Sequence, residues 1–371
     1  MEENKLLLIR ADANNKIGLG HVMRCLTIAE AAEKAGIQTV FLIADDGAEE
    51  LLKERGQAYH ILHTDFADME GELPALYEAV ENCTKTEYRA TSIQEAENIV
   101  ESDDRSQIVF LLDSYQITAK YVQNLKNRLN KNHIQLALME DYGNSLYQAD
   151  ILINYNIYGT DFSYEKNAPK TLLGCRYMPL RQAFVQQKYE VRERVKNLLI
   201  TTGGSDTYRI GAQLAKLLAD KQFADNSNLS LHIVCGKFSQ SREELLQLAN
   251  RKENIIIHTD VKEMWTLMSQ CDVAISAAGT TLYELCAIGI PTICFSFAEN
   301  QILPGTAFAA HTPIPYAGDY EQNPNAMFAT ILTKLEDLCT MPQPERERIS
   351  TRLRGIVDGK GPERIITELF N

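Results

Sequence analysis

A strand, a glycine turn and a helix follow one another near the start of the chain, and the same order returns in its second half. Residues 5–9 form an apolar run typical of a buried strand, and polar residues 10–16 follow it. Gly18 and Gly20 then lead into a helix predicted over 21–34, whose apolar residues have helical spacing. Repeated units of this kind predict an α/β protein with parallel sheets.

This alternation of strands and helices occurs once in each half of the chain, which predicts two domains, 1–180 and 181–371. We place the boundary in the charged stretch 177–196. The final helix, near 362–370, can pack on either domain. The sequence predicts strands at 39–43, 108–112, 135–139, 151–154, 197–202, 229–235, 254–258, 272–276 and 292–295, and helices at 71–101, 210–218 and 282–288.

Composition excludes several classes of partner. The chain has 371 residues, 45% hydrophobic and 23% charged, and its apolar runs are too short to cross a membrane, so we expect no membrane insertion. The acidic opening is unlike a secretory leader, and we expect a cytoplasmic protein. A net charge of −13 argues against binding nucleic acid. The eight scattered cysteines indicate reduced core residues, and we expect neither a metal site nor a cofactor.

The first glycine turn places a histidine at the start of a helix. Gly18 and Gly20 allow close approach of a ligand to the backbone, and the first helical turn favours negative charge beside it. The positive end of the helix disfavours an imidazolium, so we expect His21 to be neutral and able to act as a general base. The alternative is that His21 only caps the helix or binds a carbonyl group.

Polar and aromatic residues follow several predicted strands and should face the ligand crevice of a parallel sheet. Asp12 and Asn15 follow the first strand, and Tyr115 follows the strand that ends near Asp113. Another strand ends in the acidic and aromatic residues 140–143. We assign substrate contacts to Asp12, Asn15, Gly18, Gly20, Arg24, Tyr115, Asn300 and Gln301.

The second half supplies a predicted site for a diphosphate. Small and hydroxyl residues before a helix offer amide donors and the helix dipole to negative charge. Glu284, one turn into that helix, can accept hydrogen bonds from ribose hydroxyls. Alternatively, the threonines only cap the helix and Glu284 only complements its dipole. The residues assigned to the nucleotide are Gly203, Gly204, Ser205, Gly279, Thr280, Thr281 and Glu284.

Asn300 and Gln301 follow the last predicted strand and its turn. Their amides can bind sugar hydroxyls or phosphate oxygens. A plain surface turn is the alternative interpretation of this pair.

With these motifs in place, the chain resembles the UDP-sugar hydrolases of pseudaminic acid biosynthesis and the related spore-coat polysaccharide proteins. The resemblance rests on residues 9–12, 17–26, 202–206, 278–284 and 299–301. The last three of these are shared with MurG-like glycosyltransferases. The resemblance implies a GT-B-like fold of two Rossmann-like domains, with the active site in the cleft between them. It also implies that the C-terminal domain holds UDP and that His21 activates water.

The resemblance implies that the substrate is a UDP-linked deoxy-acetamido sugar, and the reaction predicted is water attack at its anomeric carbon, with inversion. UDP is a good leaving group, so amide donors can stabilise its charge without a metal. A glycosyltransferase that uses a UDP-sugar donor is the main alternative, and a UDP-sugar 2-epimerase or a binding protein is also open. An NAD-dependent dehydrogenase is less favoured, because Gly18 and Gly20 lack the third glycine of that fingerprint. The oligomeric state is open.

Overall fold

The computed structural model describes residues 5–14, 17–85, 107–143, 146–204, 206–222, 229–236 and 239–371. The chain forms two compact units. The first, here called the N-terminal domain, runs to Pro179 and takes back the final segment Lys360–Asn371. The second, the C-terminal domain, is Leu180–Gly359. The sequence left open where the last helix packs, and the structure places it in the N-terminal domain.

Strands and helices alternate along both domains. The strands are β1 Lys5–Ala11, β2 Gln38–Ile43, β3 Ala58–Ile61, β4 Gln107–Asp113, β5 Gln135–Met139, β6 Ile151–Asn154, β7 Lys170–Leu173, β8 Asn197–Thr201, β9 Ser230–Cys235, β10 Ile255–Thr259, β11 Val273–Ala277, β12 Thr292–Ser296 and β13 Tyr316–Asp319. The helices are α1 Gly20–Lys34, α2 Glu49–Glu54, α3 Met69–Lys85, α4 Ala119–Lys131, α5 Gln182–Val185, α6 Ile210–Leu218, α7 Arg242–Ala249, α8 Met264–Gln270, α9 Thr281–Ile288, α10 Glu299–His311, α11 Pro324–Thr340, α12 Gln343–Arg354 and α13 Gly361–Leu369.

Each domain is built on one parallel sheet. Within the described residues, the N-terminal sheet has the order β3-β2-β1-β4-β5-β6-β7 and the C-terminal sheet the order β10-β9-β8-β11-β12-β13. The direction of strand addition reverses between β1 and β4, and again between β8 and β11. In open parallel sheets, ligands bind at the carboxyl ends of the strands at such a switch point. The topology therefore marks one candidate location in each domain.

The predicted strands agree closely with the observed ones, and the three missed strands share one property. β3, β7 and β13 each have four residues and lie at an edge of a sheet. Edge strands are partly exposed, so they lack the continuous apolar run that identifies a buried parallel strand. The helix predicted over 71–101 is observed as Met69–Lys85, and 86–101 lies outside the described residues.

Buried apolar residues join the sheet of the N-terminal domain to its helices. Leu8, Phe110 and Leu136 on neighbouring strands pack in one cluster with Leu76 of α3 and Leu125 of α4, and each is completely buried. Burying side chains of this size stabilises the fold by about 1.5–3 kcal/mol each. The C-terminal sheet has a separate cluster of its own. Each switch point is therefore supported by a packed core.

A buried arginine of the N-terminal domain pairs with two acids. Arg10 on β1 is completely buried, and its Nε donates to Glu72 Oε1 over 3.0 Å, while its Nη1 lies 2.7 Å from Asp12 Oδ2. The Tyr121 hydroxyl also donates to Glu72, over 2.7 Å. Burial opposes the charge on Arg10, but Asp12 and Glu72 outweigh burial and raise its pKa above the usual range. Arg10 therefore stays charged inside the domain.

We predict that Glu72→Ala destabilises the protein by about 3–5 kcal/mol, because it removes one partner of a buried charge. The free energy of unfolding, measured by urea denaturation, tests this. Lys53→Ala is the control, because it breaks the exposed pair with Glu49 on α2, which is worth about 0–1 kcal/mol. A Glu72→Ala protein as stable as the control would show that Asp12 alone balances Arg10.

Candidate functional site

His21 meets a carboxylate at the switch point of the N-terminal sheet. It lies in the first turn of α1, which follows β1, and Asp113 is the last residue of the neighbouring strand β4. His21 Nδ1 is 2.7 Å from Asp113 Oδ1, and both side chains are buried. The contact with Asp113 therefore fixes the orientation of the His21 ring. Within the described residues, the His21 side chain makes no hydrogen bond to the backbone of α1.

Arg24, one turn further along α1, binds the ends of three strands. Its Nε donates to Asp113 Oδ2 over 2.6 Å, and its Nη1 donates to Asp141 Oδ2 over 2.9 Å and to the Tyr155 hydroxyl over 2.6 Å. Asn156 donates to the other oxygen of Asp141 over 2.8 Å. The guanidinium is buried and its nitrogens are occupied by protein groups, which is typical of a structural cation.

Asp113 is ionised at neutral pH. Its burial favours the neutral acid, but Arg24 and then His21 outweigh burial and hold the pKa of Asp113 well below its usual range. An ionised carboxylate only accepts hydrogen bonds, so the proton shared with His21 resides on Nδ1. In the neutral ring, Nε2 then carries the free lone pair. No described residue is a hydrogen-bond partner of Nε2.

Tyr115 lies against the histidine. The two ring centroids are 4.3 Å apart at an interplanar angle of 78°, and the Tyr115 hydroxyl donates to Asp141 Oδ2 over 2.7 Å. Burial of the hydroxyl and the nearby Asp141 charge raise the pKa of Tyr115 far above its ordinary value. Tyr115 therefore stays protonated and is part of the same network as Arg24.

The other residues predicted near this site have different surroundings. Asp12 binds Arg10 and accepts from the Ala44 amide over 2.8 Å, so both of its oxygens are used within the domain. Gly18 has a φ of +75°, which favours glycine. An added Cβ at Gly20 would meet no protein atom within 4 Å. Asn15 lies outside the described residues.

Two turns lie at the switch point of the C-terminal sheet. Gly203 and Gly204 follow β8, and Gly279 and Thr280 follow β11. Gly203 has a φ of +79°, whereas Gly204 and Gly279 have open space where a Cβ would lie. Ser205 lies outside the described residues. The structure thus brings together these predicted nucleotide residues on neighbouring strands.

Helix α9 begins beside Gly279 without a side-chain cap. Thr280 occupies the N-cap position, but its side chain makes no capping hydrogen bond. The amides of Thr280 and Thr281 donate to no acceptor among the described residues. By contrast, α6, which follows the other turn, is capped by Asp206, which accepts from the amides of Ile210 and Gly211 over 2.8 and 3.1 Å. Of the two helices that follow these turns, α9 is therefore the one whose first amides have no acceptor among the described residues.

Glu284 lies in the first turn of α9 and keeps about 22% of its side-chain exposure. Its carboxylate is 3.8 Å from Arg181, whose guanidinium stacks against Phe184 and Trp265. Burial raises the pKa of Glu284 to about 7, with Arg181 opposing that shift. A carboxyl group in this state can both accept and donate hydrogen bonds near neutral pH.

Asn300 and Gln301 begin helix α10 and do not form a surface turn. Gln301 Oε1 accepts from the Phe297 amide over 3.0 Å, so this side chain holds the entry of its own helix. Asn300 is exposed. Among the described residues, no hydrogen bond joins this pair to the glycine and threonine turns described above.

Several residues of the histidine cluster were not assigned from sequence. Asp113 and Asp141 were noted only as strand ends, and Tyr155 and Asn156 were missed. The available signal was their position, because all four end or follow neighbouring strands β4, β5 and β6. Their shared contact with Arg24 depends on tertiary packing, and no local pattern predicts it.

Comparison with known proteins finds one family model in the C-terminal domain and relatives that match most or part of the chain. Residues 198–346 match the model of the glycosyltransferase family 28 C-terminal domain. The chain is 26% identical over 362 residues to the spore coat polysaccharide biosynthesis protein SpsG of Bacillus subtilis, covering 96% of this chain and 95% of that protein. It is 22% identical over 213 residues to the UDP-2,4-diacetamido-2,4,6-trideoxy-beta-L-altropyranose hydrolase of Campylobacter jejuni, covering 50% and 75% of the two chains.

Among solved structures, MurG of Acinetobacter baumannii matches 99% of both chains with a TM-score of 0.66 and 13% identity. The fold is GT-B-like. The resemblance predicted from sequence is confirmed, as is the fold class of two α/β domains with parallel sheets. No helix within the described ranges is long and apolar enough to span a bilayer.

We predict that Asp113→Asn flattens the acid side of the stability profile. Because folding lowers the pKa of Asp113, its charge contributes stability that is complete above the unfolded value near pH 3.9 and is lost as the pH falls below it. The wild type should therefore lose up to about 1.4 kcal/mol more per pH unit below pH 4 than the variant. Urea denaturation between pH 7 and pH 3 measures this difference.

Asp46→Asn is the matched control, since Asp46 is exposed in the same domain. Its profile should follow that of the wild type. If the free energy of unfolding of Asp113→Asn also changed with pH as that of the wild type does, the buried charge would contribute nothing to the loss of stability in acid.

Proposed function

We propose that this protein hydrolyses a UDP-linked deoxy-acetamido sugar by water attack at the anomeric carbon, with inversion and with His21 as the general base. The observation that carries the proposal is the 2.7 Å contact between His21 Nδ1 and Asp113, which leaves Nε2 as the proton acceptor at a sheet switch point. The similarity to the Campylobacter jejuni hydrolase and the Bacillus subtilis spore-coat protein supports the substrate class. Synthesis of surface polysaccharide or nonulosonic acid is the pathway type proposed.

The catalytic step is a proton transfer that accompanies attack. Water adds to the anomeric carbon as the bond from that carbon to the diphosphate oxygen breaks, and His21 Nε2 takes the proton from water. Asp113 then stabilises the imidazolium, as the buried aspartate of a catalytic triad does. A general base of this kind contributes about 10²–10⁴-fold. The mechanism requires the anomeric carbon of the bound sugar to lie within reach of Nε2.

The C-terminal domain is proposed to hold the UDP. Amides at the start of α9 and in the turn at Gly203 and Gly204 would bind the diphosphate, where the helix dipole favours negative charge. Glu284 would bind the ribose hydroxyls. Because the diphosphate leaves as a stabilised anion, its departure needs charge stabilisation and no proton. We therefore propose that the reaction proceeds without a metal.

Within the N-terminal domain we divide the predicted substrate residues by their contacts. Arg24 and Asp12 have side chains occupied by protein groups, so we propose that they position the site. Gly20 has space beside it, and Tyr115 presents an exposed ring, so these two are proposed to contact the sugar. Gly18 shapes the turn between them and β1.

A glycosyltransferase is the second candidate, and the match of residues 198–346 to a glycosyltransferase domain favours it. An acceptor hydroxyl would then replace water in front of His21. Incubation with a panel of UDP-sugars and no acceptor distinguishes the two. A hydrolase releases UDP and free sugar from one of them at many turnovers per enzyme, whereas a transferase releases little.

We predict that His21→Asn lowers the turnover number by about 10²–10⁴-fold and leaves the affinity for UDP within about twofold, because the ring acts on water and the nucleotide is bound by the other domain. Steady-state kinetics and calorimetric titration with UDP measure the two effects. His60→Asn, a change of an exposed histidine on β3, is the control and should retain both properties. A His21→Asn enzyme with normal turnover would exclude His21 as the base.

Hydrolysis in ¹⁸O-labelled water tests which bond breaks. Attack at the anomeric carbon places the label on the reducing sugar. Label on UDP would mean attack at phosphorus and would refute the mechanism, even if His21 proved essential.

We predict that Gly279→Ala weakens UDP binding by about tenfold or more, equivalent to about 1.4 kcal/mol, without loss of stability. An alanine Cβ meets no protein atom within 4 Å there, so any clash must come from the ligand. The free energy of unfolding should stay constant or rise by up to about 1 kcal/mol, because alanine restricts the unfolded chain. Calorimetry and urea denaturation give the two values. Unchanged UDP affinity would place the diphosphate elsewhere.

A further inference from the structure

Two histidines of the C-terminal domain face each other across neighbouring strands. His232 lies on β9 and His258 on the edge strand β10, and both are partly exposed. His232 Nδ1 is 3.1 Å from His258 Nε2, and the ring planes make an angle of 13° with centroids 5.3 Å apart. Because the nitrogens are closer together than the centroids, the rings meet edge to edge. Two imidazole nitrogens thus face each other near the edge of the sheet.

A polar chain from the neighbouring strands fixes the tautomer of His232. Asp272 is buried, and its Oδ2 accepts from the backbone amides of Lys196 and Asn197 over 2.8 Å each. The side-chain Nδ2 of Asn197 is 3.5 Å from the same oxygen, so Asn197 Oδ1 is the atom that lies 3.2 Å from His232 Nε2. An amide oxygen only accepts, so the hydrogen of neutral His232 is on Nε2. The lone pair on Nδ1 is then directed at His258.

Both imidazoles are neutral near pH 7. Burial lowers the pKa of His232 and of His258, and His258 lowers that of His232 further, with Asp272 opposing this shift. Neutral imidazole is the form that binds metal ions. The hydrogen between the rings can move to His258 Nδ1, which has no hydrogen-bond partner among the described residues. Binding of a cation between the rings would therefore leave both ligands neutral.

The separation of the two nitrogens matches the distance between neighbouring ligands of a metal ion. Imidazole nitrogens bind zinc at about 2.0–2.1 Å, so two of them lie about 2.9 Å apart at a right angle and about 3.4 Å apart at the tetrahedral angle. The observed 3.1 Å falls between these limits. A small rotation of each ring would direct both lone pairs at one ion.

We propose that His232 Nδ1 and His258 Nε2 form a site for a divalent transition metal such as Cu²⁺ or Zn²⁺, with water in the remaining positions. Imidazole favours these ions, whereas Mg²⁺ and Ca²⁺ prefer oxygen ligands. No third histidine, cysteine or acidic ligand joins the pair within the described part of the chain. The bound ion would join the edge strand β10 to β9.

The surroundings of His232 are those of a metal ligand. A metal-binding histidine usually donates its other ring hydrogen to a fixed acceptor, and Asn197 Oδ1 is that acceptor here. The sequence predicted no metal site because its cysteines are scattered. The two histidines are 26 residues apart, so their meeting depends on the pairing of β9 with β10 and no local spacing predicts it.

Calorimetric titration of the full chain with Zn²⁺ at pH 7 tests the site. His232→Gln and His258→Gln should each weaken binding by about 10-fold or more, and the double variant should bind little worse than either, because one nitrogen cannot chelate. Asn197→Ala should weaken binding by about 10- to 100-fold, as loss of an outer-shell partner does. Mg²⁺ should not bind. Zn²⁺ should also raise the Tm of the wild type and not that of His258→Gln.

Electron paramagnetic resonance of bound Cu²⁺ counts the ligands directly. The spectrum of the wild type should show coupling to two imidazole nitrogens, and that of His258→Gln should not. His60→Asn, a change of an exposed histidine on β3, is the matched control and should keep the spectrum and the Zn²⁺ affinity of the wild type. Equal Zn²⁺ affinity of His258→Gln and the wild type would overturn the site, as would coupling to a single nitrogen in the wild type.

The result does not depend on the proposed hydrolysis. His21→Asn should bind Cu²⁺ and Zn²⁺ as the wild type does, whatever its turnover. A wild-type spectrum that lost its two-nitrogen coupling in His21→Asn would place the metal at the histidine site of the N-terminal domain and refute a site on β9 and β10.

Discussion

One buried guanidinium holds the histidine site together. Arg24 donates from helix α1 to Asp113 at the end of β4, to Asp141 after β5 and to Tyr155 after β6. Burial would disfavour its charge, but Asp113 and Asp141 raise the pKa of Arg24 well above the ordinary value. Removing this cation would leave two carboxylates buried at one sheet edge, which is far costlier than losing a surface pair. The position of Asp113, and through it the orientation of His21, therefore depends on Arg24.

The two domains share a topology but offer opposite electrostatic surroundings at their switch points. In the N-terminal domain, Asp113 and Asp141 share the single guanidinium of Arg24, so these three side chains together carry a net negative charge. In the C-terminal domain, the corresponding position has glycine turns and the positive end of α9. A diphosphate would be repelled by the first arrangement and attracted by the second. This contrast supports the proposal that the C-terminal domain binds UDP.

The sequence predicted best those features of the fold and the site that depend on residues adjacent in the chain. Strand, glycine turn and helix are contiguous, so the fold class and the position of His21 at a helix start followed from local patterns. The partner of His21 did not, because Asp113 is 92 residues away and the contact depends on β4 pairing beside β1. Edge strands such as β3 lacked the apolar signal for the same reason, since their exposure is set by sheet order. Asp12 shows the same limit: its position after β1 predicts a ligand contact, and the structure adds contacts with Arg10 and the Ala44 amide that no local pattern predicts.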